Sequence, residues 1–406
     1  MSDAKLDKDP WYYYFGFENA IFVLFDKVKH KKRQTNLSNH FRGQYWNDMQ
    51  PMVTTEITSL ISKFELSAMN PESSALNVSK AYRKLGNELL RNFLLGNDYN
   101  GPNSSSRDFS KEADTSYQPL FRAAAWTRHF HWMFYFQFIT PNWLFELLMP
   151  MGVYKREIEQ MIPNIIKDYD DLGKSAHNKA FFYQMIDHDP EYREKAAKPA
   201  IEEFMEMMWG GRESIGHALT SCTYQILTRP ECQERLHQEL KNAPFDLRTA
   251  PYAKLKTLPY LWAVCKEGIR MQFGCRFRIP RICREPVQYK DYTLPAGTAI
   301  SMSPSFFHDD EEIFLDPHTF KPERWLDSEN VETLEKFWNP FGNGSRSCGG
   351  RPMAYEAVFR GMANIFERYR LEVDGDRMKD LYDEGLLEVF PQANSVGLRV
   401  KVGYWD

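Results

Sequence analysis

The chain has little cysteine, little excess charge and no long uninterrupted apolar run. Its six cysteines, in 406 residues, stand singly at 222, 232, 265, 275, 283 and 348. No C-x-x-C pair occurs, so there is no zinc signature, and the scatter fits a reducing compartment rather than a disulfide framework. The balance of 51 Lys and Arg against 55 Asp and Glu leaves a formal net charge of −4, which argues against a general nucleic-acid binder. The opening residues, Met1 to Pro10, are polar and charged. They form neither a signal peptide nor a membrane anchor, which would need about 20 apolar residues. The most apolar stretch, 131–150, is interrupted by Pro141, Asn142, Glu146 and Pro150, which disfavours a spanning helix. It reads as core packing, with a patch over 130–150 that dips into a bilayer surface as the alternative. No internal repeat is present.

What remains is a chain long enough to bury a sizeable core. With 43% hydrophobic and 15% aromatic residues, it suits a helical protein with an apolar pocket. The patterning predicts amphipathic helices at 44–70 and 78–96, aromatic-rich helical segments over 121–176, one long helix over 199–228 and a shorter one over 231–241. Residues 97–118 read as a polar loop and 187–199 as a charged connector. The stretch 287–300, around Pro295-Ala296-Gly297, reads as a strand pair. The expected class is mainly α with a small β portion, in a single domain over 1–406.

One window carries most of the chemistry: Phe341-Gly342-Asn343-Gly344-Ser345-Arg346-Ser347-Cys348-Gly349-Gly350, followed at once by a helical stretch over 351–368. The glycines let the backbone turn tightly and approach a flat macrocycle. Arg346 offers a fixed cation for a haem propionate. Cys348 sits where following N–H groups and a helix N-terminus can hold a negative charge. A thiolate axial ligand of this kind pushes electron density onto iron. A buried Cys in a glycine-rich loop is the plain alternative for the cysteine alone, and five fixed positions together disfavour it.

Two further motifs precede it. Glu267 and Arg270 form an E-x-x-R pair on a helix that starts at Leu258-Pro259, and Phe320-Lys321-Pro322-Glu323-Arg324-Trp325 follows. In this order, the three motifs resemble those of the cytochrome P450 superfamily of haem-thiolate monooxygenases. The resemblance implies the family's triangular-prism fold, haem b held through Cys348, and a structural charge triad of Glu267, Arg270 and Arg324 bracing the Cys loop. It implies cofactor contacts from Phe341, Gly350, Arg346 and Arg281. Residues 26–37 resemble the family's C helix, where His30 matches one propionate position while Gln34 stands where an Arg is usual. That segment lies early, so the anchor, the first helices and most of the first sheet are expected to be missing relative to full-length relatives.

The long helix contains Trp209-Gly210-Gly211-Arg212-Glu213-Ser214. Each internal Gly costs about 1 kcal/mol against Ala, so both need a reason. Close helix packing is one. The family's acid–alcohol motif is the other, and it makes Glu213 and Ser214 the catalytic pair that delivers protons for O₂ reduction. The cluster Lys27, Lys29, Lys31, Lys32 and Arg33 reads either as a solvated face or as a docking face for NADPH-cytochrome P450 reductase, which would supply electrons from NADPH. Phrases such as Asp9-Pro10-Trp11 and Ile279-Pro280-Arg281 resemble fungal secondary-metabolism, trichodiene-oxygenase-like members. They imply oxidation of a hydrophobic terpenoid, polyketide or alkaloid intermediate. Pocket candidates are Met207, Met208, Phe273, Phe277, Ile279, Val389 and Phe390. The family location is the cytoplasmic face of the endoplasmic reticulum, here peripheral or soluble without an anchor. An inactive haem-binding fragment, or a peroxygenase, rearrangement or coupling activity, are the alternatives.

Overall fold

The computed structural model describes residues 6–15, 17–70, 72, 74–96, 130, 139–141, 144, 151–172, 180–194, 197–272, 278–327, 329–374 and 397–405. The helices, in chain order, are α1 (Lys27–His40), α2 (Gly43–Met69), α3 (Val78–Leu95), α4 (Met151–Leu172), α5 (Phe181–His188), α6 (Lys198–Leu227), α7 (Pro230–Lys241), α8 (Tyr252–Leu255), α9 (Pro259–Gln272), α10 (Ser305–His308), α11 (Val331–Phe337) and α12 (Arg351–Arg368). The strands are β1 (Leu6–Lys8), β2 (Leu76–Asn77), β3 (Ile279–Cys283), β4 (Val287–Tyr289), β5 (Tyr292–Leu294), β6 (Ala299–Met302), β7 (Tyr369–Val373) and β8 (Arg399–Tyr404). The chain is mainly helical, as its patterning predicts. The expected loop at 97–118, the pocket candidates Phe273, Phe277, Val389 and Phe390, and nearly all of 130–150 lie outside the described residues.

Side-chain caps set where several helices begin. Asp26 accepts from Val28 N at 2.8 Å and Lys29 N at 3.0 Å at the start of α1, and Asn77 accepts from Lys80 N at 3.0 Å at the start of α3. Both occupy orphan donors of a first turn. Pro199 lies in the first turn of α6, where its missing N–H is no loss.

Among the described residues three antiparallel sheets form: β1-β3-β6, β2-β8-β7 and the hairpin β4-β5. The expected strand pair over 287–300 resolves differently. Val287–Tyr289 pairs with Tyr292–Leu294, whereas Ala299–Met302 joins β3 in another sheet. Gly297, at φ +85°, turns the chain between the two sheets. β1 closes the far edge of the β3 sheet, with Lys8 directly opposite Arg281.

α6 runs through the core and packs on α3, α9, α12 and α4. Its approach to α3 is unusually close. A Cβ added at Gly216 would meet Arg83 Cγ at 2.7 Å and Arg83 Cα at 3.1 Å, and one at Gly86 would meet Arg212 O at 2.8 Å. Glycine at both places is therefore a packing requirement. Among the described residues, no helix is long and apolar enough to cross a membrane.

Candidate active site

The Cys loop is shaped by two left-handed positions, Gly342 at φ +68° and Gly344 at φ +83°, which residues with a Cβ adopt only under strain. The loop closes on itself through Cys348 N donating to Phe341 O at 2.8 Å. It then enters α12 at Gly350. Phe341 stacks edge-on with Tyr355 at 5.2 Å. Cys348 is exposed as a residue, and at its thiol burial pushes the pKa up, against backbone donation from Gly350 and Arg351 that lowers it. At Gly349 a Cβ would lie 2.5 Å from Leu37 Cδ2 and 3.4 Å from Gln34 Nε2, so α1 presses directly on the loop.

α6 lies across from that sulfur. The charge of Glu206, one turn before Gly210, acts on the Cys348 thiol. The adjacent glycines Gly210 and Gly211 of α6 have different reasons. A Cβ at Gly211 would meet Leu90 Cδ1 at 2.6 Å, whereas one at Gly210 has nothing within 4 Å, and Gly210 is exposed although its helix is central. Ser214 lies one turn on along the same face. Its Oγ donates to Gly210 O at 2.6 Å and reaches Gly211 O at 3.3 Å. Glu213 is buried and accepts from Arg212 Nη2 at 3.0 Å and Nε at 3.2 Å. His217 Nε2 stands 3.9 Å from its other oxygen. Met207 is half-buried and Met208 is packed in the core.

Charged groups converge beside the loop. Arg346 donates to Leu24 O at 2.8 Å and Phe25 O at 3.4 Å, and Arg281 donates to Tyr12 Oη at 2.6 Å. His30 is buried, and desolvation, reinforced by Arg346, Lys8 and Arg281, pushes it down to about 3. Gln34, by contrast, reaches only Ser347 O at 3.5 Å. Lys8, which the sequence reading did not single out, joins this group. A second missed set is Glu202, Glu203 and Glu206 on α6. Glu202 accepts from Glu18 N at 3.0 Å and Asn19 N at 2.6 Å, Glu203 from Ile21 N at 3.1 Å, and Glu206 from Phe22 N at 3.4 Å. They anchor the backbone of 18–22 over the N-terminal half of α6.

The triad residues meet in full. Glu267 Oε1 accepts from Arg270 Nη2 at 2.9 Å, Arg324 Nε at 2.9 Å and Lys321 N at 3.1 Å. Its Oε2 accepts from Arg270 Nε at 2.9 Å and Trp325 Nε1 at 2.9 Å. The remaining guanidinium donors go to His308 O, Pro317 O, Leu315 O, Asp316 O and Thr319 O. The group is buried and its donors are satisfied, which such a cluster requires. Asn339 N donates to His308 Nε2 at 3.1 Å. Burial first, then Arg270, holds His308 down to about 3. An unfolded imidazole takes a proton near 6.5, so below that pH the unfolded state binds more protons and acid favours it. The stability advantage of the native chain over His308→Asn is therefore expected to shrink by about 1.4 kcal/mol per pH unit between roughly pH 6 and 4. Denaturant midpoints across that range check this.

The docking reading of the basic cluster changes at one residue. Arg33 is buried, with Nε 3.2 Å from Asp189 and Nη1 3.6 Å from Glu203, over the Tyr192 ring. It belongs to an internal ion cluster rather than to an exposed face. Lys27 pairs with Asp7 at 2.9 Å, Lys29 with Glu191 at 2.5 Å and Lys32 with Asp189 at 3.4 Å, while Lys31 is exposed.

A mainly helical fold, with a glycine-turned cysteine loop leading into a helix and a buried Glu–Arg–Arg cluster beneath it, defines a class: the haem-binding oxidoreductases built on one long central helix. The chain belongs to the cytochrome P450 family, whose sequence pattern matches residues 3–395. It is similar to the cytochrome P450 monooxygenase tpcC of Cochliobolus heterostrophus, 26% identical over 99% of this chain and 80% of that protein. It is also similar to the cytochrome P450 monooxygenases TRI4 of Fusarium sporotrichioides, 27% identical over 91% of this chain and 71% of that protein, and of Trichoderma arundinaceum, 28% identical over 91% and 72%. The family's cofactor is haem, and the donor set here fits it. A soft sulfur suits iron, Gly210 and Gly350 leave room for a flat ring, and the cations around His30 suit carboxylates.

Proposed function

We propose that this protein is a haem-thiolate monooxygenase that oxidises a hydrophobic secondary-metabolite intermediate, a terpenoid, polyketide or alkaloid. Electrons would come from NADPH through NADPH-cytochrome P450 reductase at the cytoplasmic face of the endoplasmic reticulum. The names of the fungal relatives support monooxygenation. The observation that carries the reading is Cys348 in a loop turned by Gly342 and Gly344 and closed onto Phe341 O, at the entry to α12.

Bound haem supplies the iron at which O₂ is reduced and from which one oxygen atom reaches the substrate. The protein's residues do the rest. Cys348 provides the thiolate. Burial alone would keep it a thiol, and a coordinating cation deprotonates it outright, so metal and thiolate stabilise each other. Donation from the N–H groups of Gly350 and Arg351 offsets part of the burial. Phe341 would pack against the ring, and Arg346, Arg281 and His30 would hold the propionates. Glu267, Arg270 and Arg324 hold the segment that leads into the loop. Met207 and Ile279 are half-buried and line the substrate side.

Ser214 Oγ–H, on the Gly210 face of α6, would act as the proton donor on the substrate side. Glu213, once turned from Arg212, would take a proton from water and pass it on to Ser214. Replacing Ser214 by Ala is expected to lower product formed per NADPH consumed by about tenfold or more, with the electrons appearing as hydrogen peroxide. Ser214→Thr, whose methyl restricts the hydroxyl, is expected to release less peroxide than the native chain. Equal peroxide yields from all three proteins would count against this role.

A further inference from the structure

Lys8 is the least expected member of the charged group. It lies on a three-residue strand, and β1 pairs with β3 so that Lys8 and Arg281 are direct cross-strand partners. Opposed side chains in an antiparallel pair share one face of the sheet, and like charges in that arrangement repel. Lys8 is also 6% exposed. Its ammonium lies 5.0 Å from the Tyr12 ring centroid and donates to Phe22 O and to Ile21 O. Arg281 donates to the hydroxyl of the same Tyr12. Arg346 donates two residues further along the same backbone segment, to Leu24 O and Phe25 O.

His30 completes the set, since its ring is acted on by Arg346, Lys8 and Arg281 together. Lys8 is in turn pushed down to about 6, by burial first, then by Arg346 and Arg281. Glu206 and Glu203 act in the opposite sense and more weakly. Those two carboxylates already accept from Phe22 N and Ile21 N. Three basic side chains and a buried histidine thus gather at one place, with Glu206 and Glu203 acting on Lys8 more weakly than burial and its basic neighbours do. Gathering buried like charges is costly unless an anion completes the group. The position fits the same conclusion, because Arg346 belongs to the Cys348 loop and His30 to the helix that presses on it.

We infer that Lys8 is a further cofactor-binding residue, a cation that meets a carboxylate of the haem together with Arg281 and Arg346 and stands in for the cation that Gln34 lacks. This rests on the haem reading above. Lys8 and Arg281 face each other as like charges across the strand pair, and an anion placed between them relieves that repulsion. Lys8 also ties the cofactor to the 18–25 segment through the Ile21 and Phe22 carbonyls, so binding the haem would tighten that segment over α6.

The test compares release of haem with release of haem dimethyl ester, whose two carboxylates are capped. Full-length native, Lys8→Met and Lys8→Arg proteins are loaded with each, and transfer to excess apomyoglobin is followed at the Soret band. Lys8→Met is expected to release haem about tenfold faster or more, and Lys8→Arg to stay close to native. Neither substitution should change release of the ester. Adding Gln34→Arg to Lys8→Met should recover part of the loss. Equal acceleration with both porphyrins would overturn the assignment and leave Lys8 a brace for Ile21 and Phe22. Unchanged haem release in Lys8→Met would overturn it as well. If Lys8→Met does not fold, Lys8→Gln carries the same comparison. A native chain that takes up no haem fails before any variant is compared, so it would overturn the haem reading itself and this assignment with it.

Discussion

Glu267→Ala is expected to leave little folded protein. The substitution removes the carboxylate that, among the described residues, pairs with both Arg270 and Arg324, both buried, and the acceptor for Lys321 N and Trp325 Nε1. Breaking a buried pair by deleting one partner costs about 3–5 kcal/mol, because the surviving charge keeps its desolvation penalty. Here two guanidiniums survive. Total stabilities of about 5–15 kcal/mol leave a small margin for that loss. The neighbouring contacts depend on the same point. Lys266, one residue before Glu267, sits 3.5 Å from the Trp338 ring centroid and 4.9 Å from that of Trp325, and its Nζ meets Glu335 at 2.6 Å. Soluble yield and the urea midpoint read the effect. Arg324→Lys, which keeps the charge but loses the planar fork, should be milder. A Glu267→Ala protein as stable as native would mean that the cluster adds nothing to the fold.

Cys348→Ser is expected to abolish oxygenation while sparing the fold. The loop does not depend on the thiol, since it is held by Cys348 N on Phe341 O, the glycine turns and α12. A serine hydroxyl is a weak ligand that stays protonated, so it gives iron none of the electron push that a thiolate supplies. Product formation should fall to background with far-ultraviolet circular dichroism unchanged. Retained turnover would remove Cys348 from the mechanism.

Much of this was legible in the sequence because the decisive constraints are local. Gly342 and Gly344 must take positive φ within three residues of each other, and Glu267 and Arg270 share a helix face by their spacing alone. Helix limits follow the same logic: the 351–368 expectation agrees with α12, and the long helix with α6 to within one residue at each end. Tertiary pairing was not legible. Lys8 acquires its meaning only from β3, which lies across most of the chain. Glu202, Glu203 and Glu206 look like a solvated helix face, and they are drawn inward because the 18–22 backbone N–H groups need acceptors. Arg33 reads as one more surface cation until Asp189, Glu203 and Tyr192 close over it. The strand pair expected over 287–300 forms within 287–294, turning at Lys290-Asp291, while Ala299 and Ile300 pair with β3, a partner that local alternation does not reveal.

The most direct test of the account is the absorbance difference spectrum of the haem-loaded, dithionite-reduced protein with and without carbon monoxide, run beside Cys348→Ser. A red-shifted Soret band in the native protein, absent from Cys348→Ser, is the predicted result, because only a thiolate opposite the carbon monoxide moves the band that far. A native spectrum with the band of a neutral-ligand haem, or one unchanged by the substitution, would contradict it.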